Sequence, residues 1–418
     1  MSQFARNSSS CIGLIGLGSL AFALPLVAHA EGFVDDAKAT LNLRNAYFNR
    51  NFTNPSNPQG KAEEWTQSFI LDAKSGFTQG TVGFGIDVLG LYSQKLDGGK
   101  GTGGTQLLPI HDDGRPADNF GRLGVALKTR LSKTELKVGE WMPVLPILRS
   151  DDGRSLPQTF RGAMLVSREI SGLGLQAGQY RAVSLRDSSD MQDLAAWAAP
   201  GVKSDGFNYA GAEYRFNQQR TLLGVWHSQL EDIYRQSYFN VLHKQPVGDW
   251  VLGANLGYFI DREEGRARIG KVDSHTAYGL FSASRAGHAL YLGWQKVSGD
   301  SPWMSVYGSS GRTLGNDMFN GNFSNAGERS WQLRYDYDFA AAGIPGLLAM
   351  VRYGRGDSAT TRVGNDGQEW ERDTELGYTL QSGRLKNLNL RLNNATTRRS
   401  FSSDFDQTRL IVSYPLSF

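Results

Sequence analysis

SWQLRYDYDF, residues 330–339, alternates without a break. Trp331, Leu333, Tyr335, Tyr337 and Phe339 fall on one face of a period-two strand, and Gln332, Arg334, Asp336 and Asp338 on the other. In a soluble sandwich the apolar face packs inward. In a transmembrane barrel it meets lipid, and the charged face meets water. The strand alone does not choose between them, so the rest of the chain has to.

The same pattern recurs on both sides of it. TRLIVSYPLSF puts Leu410, Val412, Tyr414, Leu416 and Phe418 opposite Arg409, Ile411, Ser413 and Ser417. LNLRLNN sets Leu388, Leu390 and Leu392 against Asn389, Arg391 and Asn393, and LLAMVRYG carries Arg352 on its polar face. Connections between these strands alternate in length. Residues 299–328 are long, AAAGIPG is short, the stretch after Tyr353 is long, SGRLKN is short and TTRRSFSSDFD is longer. The N-terminal half behaves likewise, with the loop after Arg50 and the Gly-rich loop to Asp118 set against the tight SGFTQG. Long connections at one end and short turns at the other are the mark of a transmembrane antiparallel β-barrel, with short periplasmic turns and long extracellular loops. A soluble all-β protein would have to bury Arg334, Asp336 and Asp338 or expose the Trp-Leu-Tyr-Tyr-Phe stripe to water.

Residues 1–30 read as a secretory signal: Arg6, an uncharged apolar run, then Ala28-His29-Ala30 before Glu31. Cleavage would leave residues 31–418 as a single barrel domain and remove Cys11, the only cysteine. Disulfides and cysteine-based metal sites are then excluded. No later apolar run approaches 18 residues, which excludes a helical membrane protein. At roughly 20–22 residues per strand and connection, the domain holds about 16–20 strands, enough for an aqueous channel, and closure should pair the first strand with the last.

Closure gathers lumen-phase arginines on one wall: Arg44 and Arg50 on the first strand, Arg409 on the last, Arg391 on the one before, and Arg352 two strands further round. A file of permanently charged guanidinium groups in a low-dielectric wall concentrates anions and binds carboxylates bidentately. Several modest sites also suit conduction better than one strong site. The two constriction candidates are long loops folded inward. PVLPILRSDDGRSLPQTFRG (143–162) carries Arg149, Asp151, Arg154 and Arg161, and residues 299–328 carry Arg312 and Asp317.

LRNAYFNR (43–50), SGFTQGTVGFGIDVLG (75–90), LEDIYRQSYFN (230–240), ERSWQLRYD (328–336) and TRLIVSYPLSF (408–418) resemble the OprD family of substrate-specific outer-membrane porins of pseudomonads. The resemblance implies an 18-stranded monomeric pore in the outer membrane of a Gram-negative bacterium. It also implies a basic ladder at Arg44, Arg50, Arg352, Arg391 and Arg409, and passive uptake of small carboxylate solutes. Weak association into trimers is the alternative to a lone pore. Members that take basic amino acids carry a second arginine where Asn393 stands and a further aspartate where Asn322 aligns. These departures favour cyclic or aromatic monocarboxylates, with basic amino acids or small peptides second.

An outer-membrane barrel enzyme or a structural barrel is the contrasting class. His111, His227, His243, His275 and His288 have no metal-ligand spacing, and no nucleophile elbow is present. No catalytic residue, metal, cofactor or nucleic-acid partner is therefore expected; the partners are small carboxylates and outer-membrane lipid. GGKGTGG (98–104) reads as flexible linker, and Arg355-Gly356-Asp357 as a chance tripeptide in a loop.

Overall fold

The computed structural model describes residues 32–418, so the expected signal at 1–30 lies outside the described residues. The alternating segments become one closed antiparallel sheet of 18 strands. In chain order these are β1 (Lys38–Phe52), β2 (Lys61–Lys74), β3 (Val82–Asp97), β4 (Asn119–Leu131), β5 (Thr134–Trp141), β6 (Thr159–Ser167) and β7 (Leu173–Ser184). A separate small hairpin, β8 (Leu194–Ala196) and β9 (Ala199–Ser204), interrupts the wall. The wall resumes with β10 (Phe207–Phe216), β11 (Thr221–Leu230), β12 (Tyr234–Val247), β13 (Trp250–Glu263), β14 (Asp273–Arg285) and β15 (His288–Ser298). It ends with β16 (Arg329–Asp338), β17 (Leu347–Ala359), β18 (Gly367–Thr379), β19 (Asn389–Arg399) and β20 (Phe405–Ser417). β1 pairs with β20 from Thr40↔Ser417 to Phe52↔Phe405, which closes the ring and leaves no open edge.

The stretch 330–339 resolves as its alternation requires. Trp331, Leu333 and Tyr335 are 45%, 48% and 38% exposed on the outside, whereas Ser330 and Gln332 are buried inside. Leu123, Leu127, Leu292, Leu376, Leu392 and Leu410 continue the outward apolar band around the barrel. In water such a band would drive association. In a bilayer it is matched by acyl chains, while the ladder satisfies the backbone.

Two expectations change in detail. β17 runs to Ala359, so Arg355-Gly356-Asp357 lies in a strand, with Asp357 paired to Arg329 at 2.6 Å. The loop expected over 143–162 ends at 158, because residues 159–167 form β6.

The interior is not evenly water-filled. From β5 to β14 the inward face is aromatic: Trp141, Tyr180, Tyr209, Trp226, Tyr238, Phe259 and Tyr278 are all buried. The Tyr238 and Phe259 rings stack at 4.0 Å and those of Tyr180 and Tyr209 at 5.8 Å. Loops 142–158 and 299–328 fold inward and press their apolar residues, Leu145, Ile147, Leu148, Trp303 and Met304, onto this wall. The polar passage is thereby confined to the opposite side.

Candidate functional site

The register places four arginines on consecutive lumen-facing levels. Along β1 the inward positions are Arg44, Ala46, Phe48 and Arg50. Arg391 aligns with Ile411, which aligns with Ala46; Arg409 aligns with Phe48. The order is therefore Arg44, Arg391, Arg409, Arg50, one guanidinium every second residue, or about 6.6–6.8 Å along the strands. Arg352 joins the top level through Asp373, Ala395 and Gln407, which lead to Arg50.

Their surroundings differ. Arg352 donates to the Asp373 carboxylate at 2.7 Å and to the Asp317 carbonyl at 2.7 Å. Arg44 pairs with Asp152 at 2.7 Å and donates to the Arg154 carbonyl at 2.8 Å. Arg409 lies between the Phe48 and Phe319 rings, 5.1 and 5.3 Å away, and donates to uncharged acceptors: Asn320 Oδ1, Gln407 Oε1 and the Phe319 carbonyl. Among the described residues, Arg50, Arg391 and Arg409 have no carboxylate at ion-pair distance. The Nε groups of Arg50 and Arg391 are buried without a hydrogen-bond partner.

A cavity of about 1160 Å³ opens against this wall. Arg50, Arg352, Arg391 and Arg409 line it from the barrel; Arg149, Asp151 and Arg154 from one loop, and Arg312 and Asp317 from the other, complete it. The two loops support each other. Thr313 Oγ1 donates to the Pro146 carbonyl at 2.7 Å, and the Ser310 amide to the Arg149 carbonyl at 2.9 Å. The tip of loop 299–328 is pinned to the wall by alternating charges. The Phe319 amide donates to Asp373, the Asn320 amide to Glu371, and Arg399 to the Asn320 carbonyl. β17 makes room for the tip with Gly354 and Gly356, where a side chain would run into the Phe323 ring and the Glu328 carboxyl.

Electrostatics in the loops follow from burial and these neighbours. Burial pushes the Asp317 carboxyl up to about 6, with Arg352 and Arg312 opposing. Burial also acts on Asp151, but Arg186 and Arg154 overcome it and hold that carboxyl below its ordinary range. Burial, reinforced by Arg312, lowers Arg149.

Two expected residues stand apart. Arg161 is on β6, its side chain 59% exposed, 3.8 Å from Glu140 and outside the cavity lining, because the strand begins two residues earlier. Arg44 lies beneath the cavity rather than on it, covered by Asp152.

Three participants escaped the sequence reading. Arg186, just beyond β7, pairs with Asp151 and donates to Gln106. Arg399 pairs with Glu369 at 2.7 Å. Trp197 rides on the β8–β9 hairpin, where the Ala196↔Val306 bridge ties a third connection into the constriction. No local periodicity marks Arg186 or Trp197, whereas Arg399 shares the lumen phase of Arg391 on β19.

The model of the OprD-family outer membrane porins matches residues 31–418. The chain belongs to this family. It is thus a substrate-specific porin of the outer membrane. It is 58% identical over 406 residues to the porin-like protein GalP of Pseudomonas putida, covering 97% of this chain and 98% of that one. Among solved structures, this porin resembles Pseudomonas aeruginosa OpdK with vanillate, at 66% identity and a TM-score of 0.89, over 93% of this chain and 100% of OpdK. It also resembles P. aeruginosa OccK2 (OpdF) in complex with glucuronate, at 57% identity and a TM-score of 0.86, with the same coverage.

Proposed function

We propose that this porin admits small carboxylate-bearing solutes, cyclic or aromatic monocarboxylates foremost, by passive diffusion along the arginine file. One observation carries the reading: Arg50, Arg391 and Arg409 face the cavity with no carboxylate at ion-pair distance among the described residues, so their charge is left for a passing anion. An acid entering from the loop side meets Arg149 and Arg312, then passes between levels spaced closely enough for one carboxylate to be handed from guanidinium to guanidinium. Hydrogen bonds to neutral partners hold Arg409 in place without cancelling its charge. The relatives solved with vanillate and glucuronate, both ring-bearing monocarboxylates, support the same class.

On this reading residues 1–30 are an export signal, each barrel conducts by itself because one chain encloses the passage, and the transit involves no covalent step. Liposomes carrying the purified protein test it by swelling in benzoate, in benzamide of matched size and in arginine. Faster entry of benzoate than of either comparison solute is expected. Preferential entry of arginine would establish the basic-amino-acid alternative instead.

A further inference from the structure

The outward face carries a second concentration of charge that the passage does not use. Near the long-loop end of the barrel, the outward positions of five adjacent strands are basic: Lys296 on β15, Arg329 on β16, Arg355 on β17, Arg372 on β18 and Arg398 on β19. The register makes them contiguous. Lys296 aligns with Arg329, Trp331 with Arg355, Tyr353 with Arg372, and Trp370 with Arg398.

Aromatic rings are interleaved with them: Trp331 and Trp370 flank Arg355 at its level, Tyr353 lies beside Arg372, and the Trp331–Tyr353 and Tyr353–Trp370 ring pairs stand at 5.6 and 5.7 Å. Aromatic girdles mark the membrane–water interface of such barrels. The basic band therefore sits at headgroup depth on the outer-leaflet side.

Two carboxylates answer part of it: Asp357 binds Arg329 at 2.6 Å and Asp406 binds Arg398 at 3.0 Å. Among the described residues Arg355 and Arg372 have no carboxylate at ion-pair distance; the first donates to Gln368 Oε1 at 3.4 Å and the second to Thr396 Oγ1 at 3.0 Å. Five cations against two anions leave an uncompensated positive surface. Beyond β20, the outward face of β1 and β2 at the same end presents Asn49, Asn51 and Glu63, with Lys61 held by Glu63 at 2.6 Å. Other outward arginines at this end, Arg161 and Arg181 on β6 and β7 and Arg235 and Arg262 on β12 and β13, span two strands each rather than five.

We propose that this band is a docking surface for the phosphorylated headgroup of an outer-leaflet glycolipid. Arg355 and Arg372 supply planar, permanently charged forks to a phosphate, and the interleaved aromatic rings pack against the first part of the acyl chains. The occupant follows from charge and depth. An anion is required, and a surface level with the headgroups and interleaved with lipid-facing Trp and Tyr selects one anchored by acyl chains.

Native mass spectrometry of the detergent-purified full porin tests this with diphosphorylated lipid A, dephosphorylated lipid A and inorganic phosphate as probes. The porin should retain diphosphorylated lipid A, and Arg355→Gln/Arg372→Gln should retain at least about tenfold less. Lys61→Gln/Arg181→Gln, which removes two outward basic residues elsewhere, should behave as the unaltered protein. Dephosphorylated lipid A should not be retained, nor should inorganic phosphate displace the lipid. Equal retention by the Arg355/Arg372 variant, or retention of phosphate-free lipid A, overturns the proposal. Displacement by inorganic phosphate makes this a free-anion site and overturns the lipid assignment. Unchanged single-channel conductance shows that each variant has folded, and both single variants are measured beside the double.

Discussion

Arg391→Gln is the most informative single change, because it removes a charge while sparing the architecture. Arg391 lines the cavity one level from Arg409 and, among the described residues, has no carboxylate at ion-pair distance and no hydrogen bond to a loop. Glutamine keeps similar bulk and an amide donor. A carboxylate about 5 Å from the guanidinium gains roughly 0.8 kcal/mol in bulk water and about 3 kcal/mol at an effective dielectric of 20. A half-wet passage lies between these limits, so about 1–2 kcal/mol should be lost, or roughly 5- to 30-fold in carboxylate occupancy at this level. In liposome swelling the variant should slow benzoate markedly and leave benzamide nearly unchanged. Raising ionic strength from 0.15 M to 1 M shortens the screening length from about 8 Å to about 3 Å and should shrink the difference between variant and wild type. Equal slowing of benzoate and benzamide at low salt would refute the reasoning, for it would mean that Arg391 shapes the bore and does not bind.

Arg352→Gln should behave differently, since it strands the fully buried Asp373 carboxylate; a loss of about 3–5 kcal/mol is expected in thermal unfolding, and Arg352→Gln/Asp373→Asn should recover most of it. Because burial raises the Asp317 carboxyl to about 6, the folded protein binds that proton more tightly than the unfolded chain. Its stabilising contribution is therefore full below about pH 4 and lost as pH rises through 6. The same titration removes a negative charge from the constriction in acid, so anion selectivity from reversal potentials should rise between pH 7.5 and 5, and Asp317→Asn should flatten that dependence. Leu333→Arg places a charge on the lipid face and should cost about 2–4 kcal/mol near mid-bilayer, read as a lowered unfolding temperature of the reconstituted barrel.

Most of the wall was legible in the sequence, because a strand exposes its two faces by simple alternation. Trp331 and Leu333 outside and Gln332 inside follow from residues 330–339 taken alone, and closure of the first strand on the last follows from the demand that no edge remain in lipid. The phase of Arg44, Arg50, Arg352, Arg391 and Arg409 was decided in the same local way. What only the tertiary structure decided is the company each charge keeps. Asp152 covers Arg44 across 108 positions of chain, and Asp373 neutralises Arg352 from the adjoining strand, while among the described residues Arg391 and Arg50 have no carboxylate at ion-pair distance. Arg161 turned outward because β6 starts at Thr159, a boundary that its proline-rich approach does not mark. The aromatic filling from β5 to β14, which narrows the passage to the arginine wall, arises where buried rings from distant strands meet two inward loops. Alternation is a property of neighbours in the chain; pairing and filling depend on register and on the path of loops, which neighbouring residues do not encode.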